Sequence, residues 1–388
     1  MGIKPIMMEE FRRIFRRDSK IALVLFGIPI IYSILFGCVY SSAVVKNIPT
    51  LVYDQDQTSA SRSLIQAYAD SERYAIVAQV QSAEEMEQYL KENKALVAVN
   101  IPPDFSRKIK LGLASEVLIE TNATNLLFAN TVISTSQEIV QTFTVGAGQK
   151  IVEALNQMPA EALRSVAPIR IAVRVINNPT LSYSNFVLPG MIANGIQLAL
   201  MMVMCSVFIG LYPSLASWRG VSSARIVVGK IIPYWLCGIL AYSLSIAAIV
   251  LFSHVPLKGS IISLLMIGAA FCLAVVSVGG FVSAIAPNEV MSIQLPMLYI
   301  MPAFLFSGYS WPHLAMNSFS RAYSAILPLT YAADTMRDIM LAGSAPQLWR
   351  DTAVLAAFGA VMIAGTIMVF HLRRGRLTGL KKAREVVI

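Results

Sequence analysis

Six stretches of this chain, 21 to 44, 186 to 212, 231 to 253, 260 to 286, 291 to 309 and 352 to 371, contain no Asp, Glu, Lys or Arg. A helix crosses the hydrocarbon core of a bilayer with roughly 20 apolar residues. In lipid every backbone group must find its hydrogen bond within the protein, which leaves helices and closed barrels as the only spanning structures. Apolar runs of this length fit helices rather than the short alternating strands of a barrel. With 56% hydrophobic and only 14% charged residues, the chain is expected to be a polytopic α-helical membrane protein with six transmembrane helices.

A net charge of +9 raises the possibility of nucleic acid, but its placement argues for a membrane. Lys4, Arg12, Arg13, Arg16, Arg17 and Lys20 precede the first stretch, and Arg373, Arg374, Arg376, Lys381, Lys382 and Arg384 follow the last. Basic residues collect on the cytoplasmic side, so both termini are expected there, and no nucleic-acid partner is expected. Arg219, Arg225 and Lys230 fall on the same side, while the link between the third and fourth stretches carries only Lys258. The first apolar run has a competing reading as a signal peptide with "VYSSA" as its cleavage site. Its length, well beyond the roughly 7 to 15 residues of a signal-peptide core, favours a retained span. Cys38, Cys205, Cys237 and Cys272 all lie in the apolar stretches, so no disulfide framework is implied.

Residues 1 to 20 read as an interfacial amphipathic helix, with Met7, Met8, Phe11, Ile14 and Phe15 on one face and Arg12, Arg13, Arg16 and Arg17 towards the other. Such a helix serves as an electrostatic anchor to anionic lipid or as a dock for a cytoplasmic partner, and the sequence leaves both readings open. Residues 46 to 185, after the first span (21 to 45), carry 12 Lys and Arg against 14 Asp and Glu. They read as an inserted extracytoplasmic α/β domain between helices 1 and 2, with strands at "IPTLVYD", "YAIVAQV", "ALVAVNIP" and "SEVLIET" and helices between. A longer helix is expected from about Leu126 to Leu155, and Asn122 begins an N-x-T sequon read as a chance occurrence. Residues 186 to 371 then hold the five remaining spans, and 372 to 388 a basic cytoplasmic tail.

Catalytic signatures are missing. His254, His313 and His371 are widely separated, and no zinc or nucleophile motif occurs. The Gly229–Lys230 pair in "VGKI" lacks the upstream glycine and following Ser or Thr of a phosphate loop. Between Glu161 and Asp334 the only acidic residue is Glu289, so the spans lack the carboxylates of an ion-driven carrier. Asn288 and Glu289 suit a helix start, as cap and first-turn acid. Asn194, Gln197 and Gln294 are amides at lipid depth, read as bonding a neighbouring helix or lining a pathway.

"NPTLSYSNFVLPGMI", "GKIIPYW", "VPLKGS", "FLFSGYSWP" and "AILPLTYAADTMRDIML" occur in this order along the second half. Together with one span, a large outer domain and five more spans, they resemble the permease subunits of ABC type-2 exporters. The resemblance implies a non-catalytic subunit in a bacterial plasma (inner) membrane, paired with a second permease copy or a paralogue. It further implies a cytoplasmic ABC ATPase partner that binds the ATP and Mg, with no cofactor on this chain. Docking is expected through the N-terminal helix (Arg12, Arg13, Arg16, Arg17) and the 213 to 230 loop (Trp218, Arg219, Arg225). The family usually has a longer loop there with an acidic residue before Gly-Thr, whereas "SLASWRGVSSARIVVGK" is short and has no acid. Residues 312 to 349 are expected to fold back into the outer leaflet, with Trp311, Pro312, Pro328 and Tyr331 at an outer gate. The function expected is export of a drug, lipid-like molecule or peptide. The alternative is a membrane-anchored receptor or attachment protein working through the outer domain.

Overall fold

The computed structural model of the protein describes residues 2–41, 44–111, 113–121, 126–153 and 176–387. They divide into two compact units, Val44–Arg174 on the one hand and Met1–Ala43 with Val175–Ile388 on the other. Asn122 and the last residues of the helix expected to end at Leu155 lie outside the described residues.

The larger unit is helical. Among the described residues six of its helices are long and apolar enough to cross a membrane: Ser19–Val39, Tyr183–Leu215, Ser223–Phe252, Ile261–Ile285, Glu289–Phe306 and Leu348–Leu377, here spans one to six. Each coincides with one expected stretch, and the differences are at the ends. Span three starts at Ser223 rather than 231, because the Ser222 hydroxyl accepts the Arg225 N–H and caps the helix. The helix of span six continues to Val387, so the expected tail from 372 is the same helix prolonged. Residues 176 to 185, assigned from sequence to the inserted domain, belong to the helical unit. Asn178 bonds the Ser182 backbone in both directions, and the Ser182 hydroxyl caps span two. Asn288 caps span five by accepting the Met291 N–H at 2.8 Å, with Glu289 in the first turn, as expected.

Span four packs against spans two, three and six. Hydrophobicity alone does not hold apolar helices together in lipid, so close approach at small residues carries the packing. At Gly190 in span two, an added Cβ would lie 2.4 Å from the Tyr309 ring. After span five come a short turn at His313–Ala315 and helices Ser318–Ala325 and Pro328–Ala342, the last ended by Gly343 at φ 85°. Leu329, Ala332, Ala333, Met336, Ile339 and Met340 of that helix join the core of the spans. Pro328 stands at its first turn, where the missing N–H costs nothing, and so starts the helix.

The smaller unit holds a four-stranded sheet of β1 (Ile48–Asp54), β2 (Tyr74–Val80), β3 (Val97–Ile101) and β4 (Leu118–Thr121) in the order β2-β1-β3-β4. β1 runs parallel to β2 and β3, and β3 antiparallel to β4. Helices Ser59–Ala69 and Ala83–Lys91 connect the parallel strands, capped by Thr58 and Ser82. Helix Leu126–Glu153 is fastened by Tyr74, whose hydroxyl donates to the Val132 carbonyl at 2.9 Å.

Overpacking a tight contact costs about 1–3 kcal/mol. Gly190→Ala should therefore lower the melting temperature of the detergent-solubilised protein, whereas Gly210→Ala, with nothing within 4 Å of the added methyl, should leave it unchanged.

Candidate functional site

Helix Ile3–Arg12 and the wider turn Arg13–Arg17 lead to Asp18, whose backbone (φ −136°, ψ 79°) leaves the helical region before span one begins. Residues four apart share a helix face, and the stripe that this segment buries is Ile6, Glu10 and Ile14. Met8 and Phe15, expected on the apolar face, are exposed instead, at 58% and 52%. Ile14 of the expected face is buried, and the helix turns Ile6 and Glu10 inward with it because span three offers a notch and a countercharge. Gly229 supplies the notch: a Cβ there would stand 3.0 Å from Ile6 Cγ2.

The countercharge comes one residue later. Lys230 and Tyr234 are four apart on span three and face the same way. Lys230 Nζ pairs with Glu10 Oε1, and the Tyr234 hydroxyl donates to Glu10 Oε2 at 3.0 Å. The two charged side chains are 4% and 3% exposed. Arg13 approaches the same carboxylate at 3.9 Å, and the Lys230 ammonium lies 5.6 Å from the centre of the Trp218 ring. Glu9, Arg17 and Ser214 join them around a cavity of about 340 Å³.

The 213 to 230 loop of the sequence reading is mostly helical: a short 3-10 helix Ile209–Trp218, a turn through Gly220 at φ 81°, then span three. Its free carbonyls are met by span six. Arg374 donates to the Trp218 carbonyl at 2.6 Å and the Val221 carbonyl at 2.7 Å. Arg373 donates to Ala284 at 3.0 Å and Ala286 at 2.5 Å, its guanidinium 4.2 Å from the centre of the Tyr212 ring. Ser223 and His371 approach to 3.3 Å. Arg373 and Arg374, which looked like the start of a tail, thus cap the carbonyl ends of two other helices.

Of the residues singled out from sequence, Arg13 and Trp218 enter this cluster and the exposed Arg17 borders its cavity, while Arg12, Arg16, Arg219 and Arg225 are exposed and outside it. Arg17 lies 3.7 Å from Glu9. Glu10, Lys230 and Tyr234 were missed. The signal was present in Glu10, which interrupts an apolar face at helical spacing, and in the lysine of "GKIIPYW". Gln197 is fully buried and its amide has no partner among the described residues; Asn194 is partly buried and Gln294 exposed.

The opposite end of the helical unit holds a second polar cavity, of about 440 Å³, whose walls include His313, Tyr331, Asp334, Arg337, Asp338 and Asp351. Arg337 pairs with Asp334 at 2.8 Å and lies over the rings of Phe186 and Tyr309, 5.1 and 4.7 Å from their centres. Burial raises the Asp334 and Asp338 carboxyls above the ordinary carboxylate value, with Arg337 opposing it. Thr335 donates to the buried Asp351 at 2.6 Å. Tyr331 donates to the Ala325 carbonyl at 2.9 Å, Pro328 is buried at its helix start, and Trp311 and Pro312, just before the lining residue His313, are exposed. Among the described residues no group of His, Cys, Asp or Glu is arranged to hold a metal ion.

Six apolar helices with a basic cluster at one end define a polytopic membrane protein, and similarity to known proteins gives its family. A family model described as ABC-2 family transporter protein matches residues 20–368, and the chain belongs to that family. It is 22% identical over 375 residues to the probable multidrug ABC transporter permease YbhR of Escherichia coli, covering 92% of this chain and 96% of YbhR. It is 22% identical to YbhS, described in the same words, over 96% of this chain and 97% of that one. It is 24% identical to the inner membrane transport permease YhhJ, over 96% of each. The protein is a multi-pass ABC transporter permease, a non-catalytic membrane subunit for which ATP hydrolysis resides on a partner.

Removing one partner of a buried ion pair costs about 3–5 kcal/mol, because the other charge is left uncompensated, whereas replacing both by apolar residues is close to neutral. Lys230→Met should destabilise the detergent-solubilised chain by about that amount, and adding Glu10→Met should recover most of it in equilibrium unfolding.

Proposed function

We propose that this permease drives export of hydrophobic or amphiphilic molecules, drugs among them, from a bacterial inner membrane, with a cytoplasmic ABC ATPase bound at its basic end. One observation carries the reading: the interfacial helix, the turn after Ile209–Trp218 and the end of span six converge at one end of the helical unit, with Arg12, Arg16, Arg219 and Arg225 exposed around them. Exposed guanidinium groups around a rigid core suit an acidic protein surface. Basic residues at membrane borders mark the cytoplasmic face, which supports reading Val44–Arg174 as extracytoplasmic. The relatives named as multidrug permeases support the substrate class, as does the lack of acidic residues from 290 to 333.

Span five presents Val290, Leu298, Met301 and Leu305 outward, with the Gln294 amide on the exposed side. Lipid cannot satisfy an amide, whereas another helix can. A second permease copy or a paralogue packs on this face and encloses the pathway between the two. ATP closure of the ATPase pair moves the basic end, and the cavity around Arg337 at the outer end opens for release, with Trp311, Pro312, Pro328 and Tyr331 at its rim and the 312 to 349 segment in the outer leaflet.

The test is purification in mild detergent with a candidate ATPase encoded alongside, followed by reconstitution. A stoichiometric ATPase whose hydrolysis the permease stimulates supports the reading, and its absence supports a membrane-anchored receptor. Replacing Arg12 and Arg16 together by Lys, or Arg219 by Glu, should leave membrane abundance intact and lower the stimulated hydrolysis, since the planar guanidinium fork differs from a point charge. Full stimulation in all of them reduces these residues to topology signals. Topology has its own check: a cysteine at Asp70 should react with an impermeant thiol reagent added to spheroplasts, and one at Lys381 should not.

A further inference from the structure

The exposed arginines can hold a partner, but holding is not transmission. A force applied to the interfacial helix reaches the transport pathway only through whatever fastens that helix to a span. Its continuous connection to span one is weakened by the non-helical residue Asp18 and by a second wide turn, Leu23–Gly27. The sideways connection to span three is the tighter one, with Ile6 seated at Gly229 and Glu10 bonded to both Lys230 and Tyr234.

We propose that Glu10 and Lys230 are positioning residues for energy coupling: their buried pair locks the interfacial helix to span three, so that the partner's movement is delivered there rather than to span one. The inference rests on the reading of the chain as an ATPase-driven permease. The lock is also tied to span six. Lys230 lies against the Trp218 ring, and Arg374 of span six grips the Trp218 carbonyl. Interfacial helix, short helix and the end of span six are therefore tied to the start of span three and move with it. The pair supplies the acid that the 213 to 230 segment lacks, from the N-terminal helix instead of the loop. A purely structural pair needs no such position. Arg13, 3.9 Å from the same carboxylate, offers Glu10 an alternative partner on its own helix if the pair with Lys230 is pulled apart.

The experiment uses the full permease reconstituted with its ATPase, scoring co-purification, membrane abundance and the kcat and KM of ATP hydrolysis per assembled complex. Glu10→Gln keeps the shape and the Tyr234 bond but removes the charge. It should leave assembly and the ATP KM unchanged and lower the permease-stimulated kcat about 10-fold, the scale of a coupling energy. The exchanged pair, Glu10→Lys with Lys230→Glu, should recover a large part of that loss. Tyr234→Phe, which leaves no charge unpaired, should lower stimulation by a factor of about 2 to 5 and decides the matter if Glu10→Gln does not accumulate. Unchanged stimulated kcat in Glu10→Gln, or in Tyr234→Phe where that variant decides, overturns the proposal, as does an exchanged pair no better than the single variant. If the native permease neither binds nor stimulates the ATPase, the transporter reading itself has failed, which is a different result from loss in the variants alone.

Discussion

A carboxylate and an ammonium withdrawn from water at one end of the helical unit fix the arrangement there. Each alone would be costly to bury, and together they repay the cost only if their remaining bonding capacity is met. Tyr234 meets the second oxygen of Glu10, and the Trp218 ring lies against Lys230. From that requirement follow the orientation of the interfacial helix, the need for a glycine at 229 beneath Ile6, and the placing of Trp218 where Arg374 can reach its carbonyl. Four segments distant in sequence are held by one electrostatic contact and the groups that satisfy it.

The six spans were legible because the bilayer imposes a length and a polarity that few other constraints mimic. The strands of the inserted unit were legible for a similar reason, their β-rich runs being bounded by capped helices at Thr58 and Ser82. The ends of elements were less so. Span three was expected to begin after its last charge, at 231, because a lysine inside a span looks too costly, and only the presence of Glu10 makes Lys230 tolerable eight residues into the helix.

The site was half legible. Arg13 and Trp218 were found because a basic run and an aromatic in a short loop are local patterns. Glu10, Lys230 and Tyr234 were missed because their meaning lies in a pairing across 220 residues, which no periodicity records. Arg373 and Arg374 were read as topology signals. The carbonyl ends that they also cap belong to other helices and are invisible in their own segment. At the other end, the glycine that admits Tyr309 beside span two places that ring under Arg337, a consequence of packing rather than of any motif.

The docking of the interfacial helix on span three is open to one direct measurement. An ideal Cβ at Gly229 stands 3.1 Å from the Ile6 Cβ, close to the roughly 3.5–4.5 Å that a disulfide spans. In a chain whose native cysteines are replaced by serine or alanine, cysteines at 6 and 229 should cross-link in native membranes under mild oxidation. They should do so faster than a pair at 8 and 229, since Met8 points away from the bundle. Equal or slower cross-linking of the 6 and 229 pair would contradict the account, because the helix would then not be seated against span three.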